Sequence, residues 1–230
     1  MRLSAIIGRL ALCAGFAAFA TAAHAAPTGI KITEWMYNPA ASIGEYVELT
    51  NFGPAAIDFT GWSYDDEGRV PGAEDLSVLG IVNPGESVIL TEADPDAFRT
   101  EWNLAASVKV KGGITNNIGR NDELNIFDAD DNLVDRLRYG DSTYVPGSIR
   151  TVGVSGRAKT EGALGANDAL QWKLSVVGDT ENSFSSVGGD IGSPGYTALA
   201  AAVPEPSTYA LLGAGLALIA FGARKRASRS

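Results

Sequence analysis

Cysteine and histidine are almost missing from this chain: there is one of each in 230 residues, Cys13 and His24. Both sit in an N-terminal stretch unlike the rest. Arg2 and Arg9 precede an apolar run from Leu10 to Ala20, which closes on Ala23-His24-Ala25. Small side chains at Ala23 and Ala25 suit the narrow pocket of signal peptidase, so a signal peptide over residues 1–25 is expected, cut after Ala25. The alternative is a retained membrane anchor, against which the shortness and alanine content of the run argue. The cut removes the only thiol and the only imidazole. That excludes a cysteine nucleophile, a Ser-His-Asp triad, a histidine base and a Cys/His zinc site. Disulfides are excluded too, although an exported protein would be permitted them. Stability must then come from the core alone.

Basic residues are scarce between the two ends. The chain has 18 Lys+Arg and 27 Asp+Glu. Two of the basic residues fall in the signal peptide, and Arg224, Lys225, Arg226 and Arg229 fall at the C-terminus with one acid, Glu205. The middle is left with 12 basic and 26 acidic residues, a net charge of −14. Such a surface repels nucleic-acid phosphates and anionic lipid headgroups, so no nucleic-acid partner is expected. It suits a solvated extracellular protein, divalent cations or cationic partners.

Long apolar runs are also rare, and the second one is C-terminal. Pro204-Glu205-Pro206 is a stiff, extended segment, because two prolines fix φ and disfavour helix before them. Ser207 to Ala223 is uncharged and apolar over 17 residues, the short end of what spans a bilayer as a helix. Arg224, Lys225 and Arg226 form a basic membrane stop that faces the cytoplasm by the positive-inside rule. This tail resembles the PEP-CTERM sorting signal in motif, helix, basic end and order. The resemblance implies recognition by an exosortase, a membrane protease of Gram-negative exopolysaccharide producers, with cutting near Pro204, Glu205 and Pro206. It also implies passage through a single-pass inner-membrane intermediate to the cell surface or extracellular matrix. The alternative is a plain single-span anchor that nothing cuts.

Helical periodicity is lacking in the middle. Ile30 to Trp35, Tyr46 to Thr50, Ser87 to Thr91, Glu123 to Phe127 and Leu133 to Tyr139 read as short strands. Turn residues punctuate them, as in Asn83-Pro84-Gly85-Glu86. Many short strands predict an all-β sandwich or barrel. One helix is predicted over Pro95 to Trp102, capped by Asp94. Asn51 and Gly53 are expected in a turn with positive φ, Asp58 and Gly61 at a corner, and Trp62 in the core.

These segments carry a second resemblance. Ile32-Thr-Glu34-Trp-Met-Tyr-Asn38-Pro39, Glu45-Tyr-Val-Glu48-Leu49-x-Asn51-x-Gly53 and Asp58-Phe59-x-Gly61-Trp62-x-Tyr64-x-Asp66 resemble a lamin-tail domain. Asp122-Glu123-Leu124-x-Ile126, Asp135-x-Leu137-x-Tyr139-Gly140 and Gly192-Ser193-Pro194-Gly195 continue the pattern, while Ser142 to Gly192 is looser. The resemblance implies an immunoglobulin-like β-sandwich, here over residues 27–197, with a linker at 198–203 and the sorting signal at 204–230.

Candidate chemistry is confined to carboxylates. Asp128, Asp130 and Asn132 present oxygen ligands at alternate positions, a pattern that suits calcium. Against the EF-hand loop the pattern fails, with Leu133 at the sixth position and Tyr139 at the twelfth. A solvated hairpin turn is the competing reading, and it applies equally to Asp65-Asp66-Glu67. Glu45 with Glu48, or Glu34 with Glu48, would be an acid/base pair if about 5–10 Å apart and open to substrate. Lys109 and Lys111 are a local basic pair, and Gly112-Gly113 fits no phosphate-binding pattern. The expected protein is a non-enzymatic surface or matrix module, with exopolysaccharide or matrix proteins as partners and no required cofactor. Signal peptidase and exosortase are its expected processing enzymes. The alternatives are a carboxylate-only, metal-dependent hydrolase and a calcium-stabilised adhesion module.

Overall fold

A computed structural model describes residues 29–40 and 43–200. The signal peptide, with Ala23 and Ala25, and the whole sorting tail, with Pro204, Glu205, Pro206, Arg224, Lys225 and Arg226, lie outside the described residues. Among the described residues no helix is long and apolar enough to cross a membrane.

The described chain is all-β apart from one helix and short 3-10 turns. It begins with β1 (Ile30–Met36), β2 (Tyr46–Asn51), β3 (Ile57–Asp58), β4 (Ser63–Asp65), β5 (Glu74–Asp75), β6 (Ile81–Val82) and β7 (Ser87–Thr91). Helix α1 (Pro95–Glu101) and β8 (Val110–Lys111) follow, then β9 (Asp122–Phe127) and β10 (Leu133–Tyr139). The late strands are β11 (Gly156–Ala158), β12 (Trp172–Leu174), β13 (Phe184–Ser185) and β14 (Ile191–Gly192). Among the described residues the main sheets have the orders β12-β11-β1-β2-β7-β8 and β10-β9-β4-β5, and β13-β14 and β3-β6 form two small two-stranded sheets. Among the described strands every pairing is antiparallel except β7 with β8, and two isolated bridges, Asn38 with Val152 and Val154 with Ile191, are parallel.

Alternation of side chains decides which faces meet. Ile32, Trp35, Val47, Leu49, Val88 and Leu90 of the first sheet share one buried core with Tyr64, Leu124, Ile126, Leu137 and Tyr139 of the second. Trp35 stacks on Tyr139 across that core, ring centroids 3.8 Å apart. The opposite face of the six-stranded sheet is covered as well. Met36, Tyr46, Ile89 and Val110 form a second core with Phe98 and Trp102 beneath α1. The Asp94 side chain caps α1 by accepting from the N–H groups of Asp96 and Ala97, as its place before Pro95 predicts.

Strand β1 does not alternate throughout. Ile32 pairs with Leu49 but Glu34 pairs with Glu48, so Thr33 is an extra residue, a β-bulge. The bulge turns Trp35 into the main core with Val47 and sets Glu34 opposite Glu48 on the other face. Without it, Glu34 would stand opposite Val47.

Several local expectations change. Gly53 and Asn51 do not have positive φ. Instead the Asn51 Oδ1 accepts the Gly53 N–H at 2.8 Å, and a Cβ on Gly53 would come within 3.0 Å of that oxygen. A side chain at this position would press on that oxygen, while the backbone itself does not call for glycine. Trp62, expected in the core, is half-buried, packs against the main core and stacks on the buried Phe59 at 4.6 Å. Gly61 does have positive φ, and Asp58 accepts from the Thr60 N–H and hydroxyl. Leu199 and Ala200, expected in the linker, pack against the main core.

Candidate functional site

The bulged strand places the most chemically loaded residues of the chain in one row. Across the outer face of the six-stranded sheet, Lys173 of β12 pairs with Arg157 of β11, Arg157 with Glu34 of β1, and Glu34 with Glu48 of β2. Glu34 and Glu48 are 1% and 0% exposed.

Buried carboxylates demand hydrogen-bond donors. The late loops supply them. Glu34 accepts from the Ser155 hydroxyl, from the Ser193 N–H at 2.8 Å and from the Ser193 hydroxyl at 3.1 Å. Glu48 accepts from the Thr33 hydroxyl at 2.5 Å and the Gly195 N–H at 2.7 Å. Glu181 extends the row, accepting from the Thr197 hydroxyl at 2.9 Å and the Ala198 N–H at 2.6 Å. Arg157 joins from the other side, with Asp179 at 2.8 Å and Glu181 at 3.7 Å. The last described segment is therefore tied to the sheet at Ser193 and Gly195, and to the Glu181 loop at Ala198. Gly192 is part of this closure: a Cβ there would lie 2.5 Å from the Tyr46 hydroxyl and 2.9 Å from Glu34.

Burial dominates the electrostatics. Desolvation raises Glu34 to about 7, against the lowering effect of its Ser155 and Ser193 hydrogen bonds. Desolvation and the neighbouring Glu34 charge raise Glu48 to about 8. As an adjacent pair they titrate together. Chemically this is the acid/base pair considered in the sequence, since the two residues are direct cross-strand partners. Their burial leaves no face for a substrate. The Glu45–Glu48 combination is not brought together: Glu45 turns away, accepting the Ile118 N–H, and burial raises it to about 8.

At the β9–β10 turn, Asn132 Nδ2 donates to the Asp128 carboxylate at 3.2 Å. Asp128 Oδ1 accepts the N–H groups of Asp130 and Asn132 at 2.9 Å each, and Asp131 takes positive φ at the tip. This is hairpin geometry that spends the Asp128 oxygen on the backbone. Among the described residues no group of three Asp, Glu, His or Cys side chains gathers to hold a metal. In the Asp65-Asp66-Glu67 turn, Asp65 accepts from the Val70 N–H at 2.6 Å and from the Asn116 amide. Lys109 pairs with Glu86 at 2.8 Å, so it is not free for a phosphate.

Residues 23–141 match the family model of the Lamin Tail Domain. The chain belongs to the lamin tail domain family. Residues 202–226 match the PEP-CTERM protein-sorting motif, which marks an exported protein sorted by an exosortase. No curated protein and no solved structure gives a significant match. The lamin-tail match ends at residue 141, so β11, β12 and the loops that seal Glu34 and Glu48 lie beyond it.

The Glu34–Glu48 pairing was partly readable, as two strand acids near each other in motif order. The hydroxyl and N–H donors at Ser155, Ser193 and Gly195 were not. Their one sequence signal is Gly192-Ser193-Pro194-Gly195, a turn-forming run whose partners lie about 150 residues away.

Proposed function

We propose that this lamin tail domain protein is a non-enzymatic binding module of the cell surface or extracellular matrix, delivered there by exosortase sorting. One observation carries the reading. The carboxylates best suited to acid/base work, Glu34 and Glu48, are sealed beneath the C-terminal loops and consumed in holding them down. That use builds a rigid body at the end of the chain that leads into the sorting motif. Partners are exosortase and signal peptidase during processing, and polysaccharide or matrix proteins afterwards. No cofactor is needed.

The test is retention. Full-length chain expressed in an exopolysaccharide-producing host should remain with the washed matrix fraction, and should turn over no glycoside or phosphoester with magnesium, manganese or calcium. Turnover abolished by Glu48→Gln would contradict the reading and restore the hydrolase. Melting in calcium tests the adhesion-module alternative: a shift below about 1 °C is expected, and a large rise would mean a calcium site.

A further inference from the structure

On a domain poor in basic residues, three of them meet at one carboxylate. Arg69, Arg136 and Arg138 surround Glu123 on the outer face of the four-stranded sheet. Arg69 binds it bidentately, Nε to Oε2 at 2.7 Å and Nη2 to Oε1 at 2.6 Å. Arg138 and Arg136 stand 3.5 and 3.7 Å from the same carboxylate. Register explains the gathering: Arg138 pairs with Glu123 and Arg136 with Asn125 on adjacent strands, and the β4–β5 loop folds Arg69 over them.

The charges do not balance. Glu123 is buried and held below the usual carboxylate range, chiefly by Arg69, so it is ionised. One negative charge faces three positive ones. Among the described residues no second acid lies within ion-pair distance of the three arginines. Asp65 is buried and accepts from Val70 and Asn116. Glu67 shares a hydrogen bond with Asp122, and Asp168 accepts from Leu170 and Gln171. The guanidiniums also keep unused donors. The side chain of Arg138 is 46% exposed and lies over the Tyr144 ring at 4.3 Å. Among the described residues its guanidinium meets Glu123 and that ring, and donates no hydrogen bond. A half-exposed planar guanidinium braced on an aromatic ring suits a carboxylate in two-point contact.

We propose that this face binds a carboxylated polysaccharide, a chain of uronate units, through Arg138 and Arg69 with Arg136 in support. The proposal rests on the reading of the chain as a binding module and names its surface and ligand class. A sugar acid fits better than nucleic acid for a reason of charge density. A duplex carries one charge per about 1.7 Å, which a domain of net −14 repels over its whole outline. A uronate chain carries one charge per ring, with hydroxyls between that take up hydrogen bonds.

The experiment uses full-length chain in mild detergent at low salt, with immobilised polygalacturonate, its methyl ester, a neutral dextran and duplex DNA. Binding to polygalacturonate and not to the ester is expected. Arg138→Gln should weaken it roughly tenfold, the loss of one charge-assisted contact, and Arg138→Lys less. Arg138→Gln removes no internal hydrogen bond, only a half-exposed ion pair and a ring contact, so its melting temperature should fall by a few degrees at most and report that it folds. Equal binding of ester and free acid, duplex DNA bound as tightly as polygalacturonate, no binding at all, or an Arg138→Gln variant that binds normally would each overturn the assignment. Retention of that variant in the native matrix separates the two readings. If it binds polygalacturonate normally and stays in the matrix, this face is wrong and the module reading stands. If the parent chain is not retained either, the module reading itself has failed.

Discussion

The main-chain N–H of Ile32 donates to the Asp135 carboxylate at 2.8 Å, joining the two sheets through residues 103 positions apart. Ile32 borders the Thr33 bulge, and Asp135 is buried in the facing sheet. The bond holds the distorted part of β1 against β10.

Removing that acceptor should therefore destabilise the whole body. Asp135→Ala leaves a buried N–H unpaired, for a loss of about 1–3 kcal/mol. Asp135→Asn keeps an oxygen acceptor and should lose less. Urea unfolding midpoints at constant slope measure both, and equal losses would mean the charge matters and the acceptor does not.

Stability should fall on the alkaline side. Burial is the main cause that raises Glu34 to about 7, Glu48 to about 8, Glu45 to about 8 and Asp122 to about 7. In the unfolded chain these groups lose their protons near pH 4 to 4.5. The folded state then holds more protons than the unfolded one, so stability declines as pH rises from there to about 8. Glu123 acts oppositely: Arg69 holds it low, and its contribution is lost on acidification below the unfolded value. The melting temperature should be higher at about pH 5.5 than at about pH 8.5. Glu48→Gln should flatten that decline, with a larger gain at the higher pH than at the lower. A parent profile that rises toward pH 8.5 would show that the pair is solvated.

Closure of the late loops depends on the absence of a side chain at Gly192. Gly192→Ala drives a methyl group into the Tyr46 hydroxyl and Glu34, and should cost about 1–3 kcal/mol by overpacking. Hydrogen exchange at Ser193, Gly195 and Ala198 should rise more than in β2 and β9. Uniform exchange throughout would mean that the segment does not open by itself.

The sequence shows the long strands well, because β1, β2, β7, β9 and β10 carry apolar residues at strand spacing bounded by turn residues. Helix α1 is legible for the same kind of reason, through Asp94 and Pro95. The two- and three-residue strands are not, since no period can be read from Gly156–Ala158 or Val110–Lys111. Thr33 hides the rest. One inserted residue moves Glu34 from opposite Val47 to opposite Glu48, and nothing in Ile-Thr-Glu-Trp announces it. The arginine cluster is not legible in the sequence, because Arg69 reaches Glu123 from 54 residues away and only pairing of β9 with β10 brings in the other two.

The central claim is export, sorting and release of a folded module. The most direct test is the intact mass of the protein recovered from inner-membrane, outer-surface and medium fractions. The account predicts a product outside the inner membrane that has lost residues 1–25 and the stretch after the Pro204-Glu205-Pro206 region. A product confined to the inner membrane that still carries Arg224 to Ser230 would contradict it.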